Sequence, residues 1–146
     1  MLNIQQQVSL LEHNTLALPS TAEYFCTVSS SRELSEALSW AKVKQLPITL
    51  LGGGSNVVLA GNLAGLVIHI AILGIKLITE QNTSPQSDQR IVRVGAGENW
   101  HQLVLHTLEQ GWYGLENLSL IPGLAGAAPI QNIGAYGVEL SDRFHS

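Results

Sequence analysis

The sequence predicts an α+β protein. Three observations carry that reading. A β-type run, a helical run and a second β-type run open the chain as a βαβ-like unit. Several short β-branched runs follow with little helix between them. A second amphipathic helix then precedes a long, charge-free, glycine-rich tail. The 146 residues fit one domain, or two small subdomains sharing a core.

The first twenty residues read as a polar, turn-rich N-terminal segment closing at "LPST". "AEYFCTV" (22–28) has the aromatic and β-branched content of a strand. "SSSRELSEALSWAKVKQ" (29–45) reads as a helix. Ser30 and Glu33 have capping-box spacing, which supplies partners for the first free N–H groups. Leu34, Ala37, Leu38 and Ala41 recur as one apolar stripe. "LPITLLG" (46–52) is the next strand, and short helical crossovers of this kind join parallel strands. Further strands are expected near 57–59, 66–70, 75–79 and 90–97, with "TEQNTSPQSDQ" (79–89) as a polar turn. "ENWHQLVLHTLEQG" (98–111) is the second helix. Its apolar face holds Trp100, Leu103, Val104, Thr107 and Leu108, and Gly111 stops it.

Composition narrows the function classes. Charged residues make up 12% of the chain, about half the usual share of roughly 25%, so much of the surface is destined for burial. The net charge is −4, and basic residues such as Lys42, Lys44 and Lys76 share no face. Nucleic acid is therefore not an expected partner. The apolar run from Leu63 to Ile75 falls short of the roughly 20 residues that span a bilayer. The N-terminus lacks a basic start and a cleavage site, so a cytoplasmic protein is expected, and no oligomer is predicted. Cys26 is the only cysteine. It sits in an apolar strand and reads as a buried thiol.

Two glycine-bearing stretches hold the candidate chemistry. In "LLGGGSN", Gly52, Gly53 and Gly54 follow a buried strand, with Ser55 and Asn56 behind them. Consecutive N–H groups freed of side chains can converge on an anion. A Walker loop would need a lysine here, and a dinucleotide fingerprint would need a helix next; the sequence offers neither. The stretch is either a neutral phosphate cradle or a plain turn between strands. The second stretch is "IPGLAGAAPIQNIGAYGVEL" (121–140). No charge occurs between Glu116 and Glu139. Small residues at Gly123, Ala125, Gly126, Ala127, Ala128 and Gly134 clear a path. Pro122 and Pro129 stiffen it, and Gln131, Asn132 and Tyr136 are its polar handles. It is either an apolar cradle for a large flat ligand or an inward-packed loop with no ligand.

The segments "EHNTLALPSTAEYF", "LLGGGSNVVL", "VGAGENWHQLV" and "GLENLSLIPGLAGAAPIQNIGAYGVEL" together resemble the UDP-N-acetylenolpyruvoylglucosamine reductase family, in order and spacing, from about residue 9 to about 142. The resemblance implies the FAD-binding fold of the vanillyl-alcohol-oxidase type, with two small α/β subdomains. The first would span 21–70 and the second, C-terminally incomplete, 71–146, with the substrate domain absent. It implies non-covalent FAD, NADPH as co-substrate and UDP-N-acetylglucosamine enolpyruvate as the molecule reduced, in peptidoglycan precursor synthesis. Gly52, Gly53, Gly54, Ser55 and Asn56 would hold the pyrophosphate. Ile121, Pro122, Gly123, Gly126, Ala127, Ala128, Ile130, Gln131, Asn132, Ile133, Gly134 and Tyr136 would line pyrophosphate and flavin, with Tyr136 also touching substrate. Alanines stand at 127 and 128 where some members have serines, and Leu16 stands where an aromatic residue is frequent.

The family's chemistry relays hydride from NADPH to flavin to the enolpyruvyl double bond. It uses an Arg and a Glu to stabilise the developing charge and a Ser as general acid. None of the three has a match here; Ser141, Arg143 and Ser146 lie outside the motifs, and the catalytic groups are expected beyond residue 146. The chain alone is therefore expected to be inactive. His69 and His101 read as ordinary strand and helix-surface histidines. The alternatives are a stand-alone flavin- or nucleotide-binding module without chemistry, and another FAD-linked oxidoreductase of the same fold.

Overall fold

The computed structural model describes residues 2–78 and 90–145. The expected polar turn at 79–89 lies outside the described residues. Four strands form the first sheet in the order β1 (Gln5–Ser9), β2 (Thr21–Val28), β4 (Leu63–Ile70) and β3 (Ile48–Leu51). β1 pairs antiparallel with β2, whereas β4 runs parallel to both β2 and β3.

β1 corrects the reading of residues 1–20 as turns alone. Its sequence, "QQQVS", shows no alternation because it is an edge strand with little to bury. β2 and β3 are parallel, as expected, but are not neighbours: β4 lies between them. Burial explains the order. β4 is buried along Gly65–Ile68, and both faces of a central strand must be apolar, hence "LVI". β3 leaves Ile48 and Leu50 exposed, as an edge can. The strand expected at 57–59 is absent. Val57 and Val58 are exposed there, and Leu59 alone turns in. Consecutive β-branched residues favoured a strand that has no neighbour to pair with.

β4 also carries an irregularity. Leu63 and Leu66 face Ala22 and Tyr24, so three steps on one strand match two on the other. Gly65 absorbs the difference at φ +78°, and its N–H donates to the Glu23 carboxylate at 2.7 Å.

α1 (Ser31–Val43) covers one face of this sheet. Ser30 Oγ accepts the Glu33 N–H at 3.2 Å, half of the expected capping box. The Glu33 carboxylate goes one residue further back, to the N–H and Oγ of Ser29. These bonds hold its pKa below the ordinary range. Ala37 and Ala41 are buried against Cys26, Val28, Leu66 and Ile68, with Leu34 and Trp40 at the margin. Leu38 does not join them; it is 40% exposed. The buried stripe runs 34, 37, 41, with Trp40 beside it against Tyr24, ring centroids 5.1 Å apart. The other sheet face buries Leu10, Ala22, Phe25, Leu51, Leu59 and Val67. Each large side chain fully removed from water contributes about 1.5–3 kcal/mol. Cys26 is buried as expected. Desolvation raises its thiol pKa, and the nearby Glu33 charge adds to that.

The remaining chain builds a third apolar cluster. β5 (Ile75–Ile78) and β6 (Ile91–Val94) form an antiparallel pair. α2 (Trp100–Glu109) buries Trp100, Leu103, Val104 and Thr107, close to the expected face. Asn99 caps it by accepting the Gln102 N–H at 3.0 Å. Gly111 and Trp112 close it with N–H bonds to Leu108 and Thr107, at 2.9 and 2.8 Å. Leu118, Ala128 and Leu140 complete the cluster. The stretch 121–140 is not one open loop. It contains a short helix, α3 (Ala128–Gln131), with Pro129 in its first turn, and a hairpin of β7 (Gly134–Ala135) and β8 (Val138–Glu139). Tyr136 and Gly137 form the hairpin turn, both at positive φ.

Candidate functional site: two glycine loops in contact

The Gly52–Asn56 loop leaves β3 at the carboxyl end of the parallel strands, where open α/β sheets gather ligands. Among the described residues, none of the five N–H groups from Gly52 to Asn56 finds an acceptor. The Gly54 carbonyl, by contrast, is fixed: Thr15 reaches it with its N–H at 3.1 Å and its Oγ1 at 3.3 Å. Asn14 anchors this support from within. Its buried amide donates to the carbonyls of Leu10 and Leu18 and accepts the Leu18 N–H. The loop thus turns its Gly54 carbonyl to the protein and, among the described residues, leaves its N–H donors free.

The second stretch meets the first. A β-carbon placed on Gly53 would lie 3.7 Å from Gly123 Cα, and one on Gly123 would lie 3.0 Å from Ser55 Oγ. Leu124 covers Gly52 and Gly53, 3.6 Å from such a β-carbon on either. The second stretch is in turn laced to the approach to α2. The Trp100 N–H donates to Gly123 O at 3.0 Å, the Ala125 N–H to Glu98 O at 2.8 Å and the Gly126 N–H to Ala96 O at 2.9 Å.

The structure brings only part of the expected set together. Gly52, Gly53, Ser55 and Gly123 converge. Pro122, Gly123, Ala127 and Gln131 line a small cleft beside Trp100. Ala128 is buried in the third cluster, and Ile121 and Ile133 pack against it. Ile130 is 86% exposed and Tyr136 89% exposed. The Asn132 side chain is engaged within the fold: it donates to Glu139 at 2.8 Å and accepts the Ser141 N–H at 3.1 Å. Gly134 lies in the hairpin, against Val138 and Glu139. Gly126 has a packing role as well, since any β-carbon there would lie 2.9 Å from Ala96 Cα. Valine at 126 would therefore part the 96–126 contact before it met a ligand.

The sequence reading gave no role to His13, Asn14 and Thr15, which hold the first loop. Their partner Gly54 is 39 positions from Thr15, so no local spacing marks them. Nor did it single out Leu124, the side chain between the loops. His13 belongs to a further cluster at this end of the sheet. Its ring lies 4.8 Å from Phe25 and 5.3 Å from His69, centroid to centroid. Burial lowers the His69 pKa from its ordinary 6.5, and His13 lowers it further. Folding therefore favours neutral His69. Its contribution to stability is complete above about pH 6.5 and is lost as pH falls through the lowered value. Chemical denaturation between pH 7.5 and 5 should show stability falling with pH, and His69→Gln should flatten that slope. An unchanged slope in the variant would assign the loss to other groups.

No lysine or arginine lies between Lys44 and Lys76, or between Arg93 and Arg143. Within the first loop, the donors available to an anion are backbone N–H groups, Ser55 and Asn56. No group of three His, Cys, Asp or Glu among the described residues has metal-site geometry. No helix among them is long and apolar enough to cross a membrane.

A reductase named UDP-N-acetylenolpyruvoylglucosamine reductase from Chromobacterium violaceum is 47% identical over 142 residues, which is 97% of this chain and 40% of that protein. The protein of the same name from Bdellovibrio bacteriovorus is 50% identical over 141 residues, again 97% and 40%. The crystal structure of the Thermus caldophilus UDP-N-acetylenolpyruvylglucosamine reductase superposes with a TM-score of 0.71 at 27% identity, covering 97% of this chain and 47% of that one. The chain thus spans about two-fifths of the length of these curated relatives. A family model described as an FAD binding domain matches residues 22–146, and the chain accordingly belongs to the FAD-binding domain family.

Proposed function

We propose that this chain is the FAD-holding part of an NADPH-dependent reductase that converts UDP-N-acetylglucosamine enolpyruvate to UDP-N-acetylmuramate. The names of the relatives support the reaction, and the family supports the cofactor. The observation that carries the reading is the contact between two loops rich in small residues, one of which leaves five N–H groups without acceptors among the described residues. Residues 21–70 and 71–146 serve as the two subdomains on either side of it.

Bound flavin supplies the hydride chemistry. The chain's residues bind and orient. Gly52 to Asn56 offer the pyrophosphate neutral donors, which hold an anion without the point charge of a lysine. Thr15 and Asn14 keep those donors aimed, because they fix the carbonyl side of the same loop. Pro122, Gly123, Leu124 and Gln131 border the dinucleotide and exclude water from it. Tyr136, at the exposed tip of the hairpin, faces the substrate side.

Ser55→Trp tests the site. Ser55 borders Gly123, so an indole there would wedge the loops apart. Flavin-fluorescence titration should show FAD affinity reduced at least ~10-fold, about 1.4 kcal/mol, with an unchanged circular dichroism spectrum. FAD bound equally well by the variant would remove both loops from the cofactor site.

A further inference from the structure

Leu120 has φ +63°, a conformation that costs a leucine about 1–2 kcal/mol. Its side chain is 77% exposed, so core packing does not offset that strain. Hydrogen bonds from the first turn of α2 do. The Leu120 N–H donates to Nδ1 of His101 at 3.2 Å. The neighbouring Trp100 grips the other end of the turn, its Nε1–H donating to Leu118 O at 2.7 Å. The Trp100 backbone N–H then holds Gly123 O at 3.0 Å. Two adjacent residues therefore fix positions 118, 120 and 123.

The reversal at Leu120 has two consequences. It turns Ile121 toward the third cluster, and it delivers Gly123 and Leu124 to the first glycine loop. We propose that His101 is a positioning residue for the cofactor site: by accepting the Leu120 N–H it sets the turn that brings the second loop against Gly52–Ser55. This rests on reading the two loops as the FAD site. The role requires Nδ1 to be the bare nitrogen, with the ring proton on Nε2.

That requirement makes the test selective. The Asn side-chain oxygen can occupy the place of Nδ1, whereas the Gln oxygen reaches the place of Nε2. His101→Asn, His101→Gln and His101→Ala are compared by residue-resolved amide hydrogen exchange and by FAD titration. Leu120 and Trp100 amides should exchange about five- to tenfold faster in the Ala and Gln variants, the net worth of one hydrogen bond, and near the unsubstituted rate in Asn. FAD affinity should fall in the same order. Unchanged Leu120 exchange in His101→Ala, or Gln rescuing as well as Asn, overturns the proposal. So does full FAD affinity in His101→Ala. Failure of the unsubstituted protein to bind FAD removes the site reading itself, and the proposal with it.

Discussion

Gly54→Ala is expected to destabilise the protein by about 2–4 kcal/mol, while Gly53→Ala, one residue away, should cost less than about 0.5 kcal/mol. The two glycines look alike in the sequence, but the structure separates them. Gly54 is buried at φ +64°, and a β-carbon there would lie 2.7 Å from Asn14 Cα and clash with the His13 backbone. The backbone term alone is about 1 kcal/mol. The clash adds roughly 1–3 kcal/mol, since it is with main chain that the Asn14 hydrogen bonds hold in place. A β-carbon on Gly53 meets the Leu124 side chain at 3.6 Å and Gly123 Cα at 3.7 Å, both ordinary contacts. Urea denaturation measures both. Equal stability of the two variants would mean that Gly54 does not rest on the 13–14 turn. Because Gly53→Ala spares the fold, any loss of FAD affinity in it reports on the loop as a binding surface.

Trp100→Ala should cost about 3–5 kcal/mol, and Trp100→Phe about 1–3 kcal/mol. Trp100 is 3% exposed and lies at the centre of the third cluster, with Leu103, Val104, Leu118 and Ala128. Alanine leaves a cavity and loses the bond from Nε1 to Leu118 O. Phenylalanine retains most of the packing and loses the bond, leaving a buried carbonyl without its donor. The gap between the variants separates packing from hydrogen bonding. If Phe proved as damaging as Ala, the indole N–H rather than its bulk would be what the cluster needs. Both changes act through residues 118–123, so both should also weaken FAD binding.

Much of the fold could be read from the sequence where burial is one-sided. α1 and α2 show their apolar faces, and the expected cap at Ser30 holds as a side-chain acceptor. β2 and β4 announce themselves by content. The signal fails where an element is stabilised by its neighbour and not by its own pattern. β1 is three glutamines, a valine and a serine, and becomes a strand only because β2 offers it an edge. Val57 and Val58 have strand propensity and no partner. Leu38 has the right spacing and still lies outside the core, 40% exposed.

The same limit applies to the candidate site. The two glycine stretches stand out by composition, yet composition cannot say that Gly54 faces protein and Gly53 faces the second loop. Ala128, Ile121 and Ile133 belong to a run that looks like one ligand-facing loop. Their side chains are spent on the third cluster instead. Asn132 looks like a polar handle and serves as the tie between α3 and the hairpin. Which atom of a loop is free depends on the chain's distant parts, such as Thr15.

The position of β4 between β2 and β3 has a consequence for the order of assembly on the ribosome. β1 and β2 are consecutive and antiparallel, so they can pair as soon as both have emerged. β3 cannot. Among the described residues its one sheet neighbour is β4, which is synthesised later, and until then Ile48 and Leu50 lack the strand they pair with. The parallel core must wait for residue 70 and then close in one step, with β4 docking between two strands already made. Pairing between distant segments of this kind is slow, and the waiting strand is the point at which a nascent chain is most open to sticking to another.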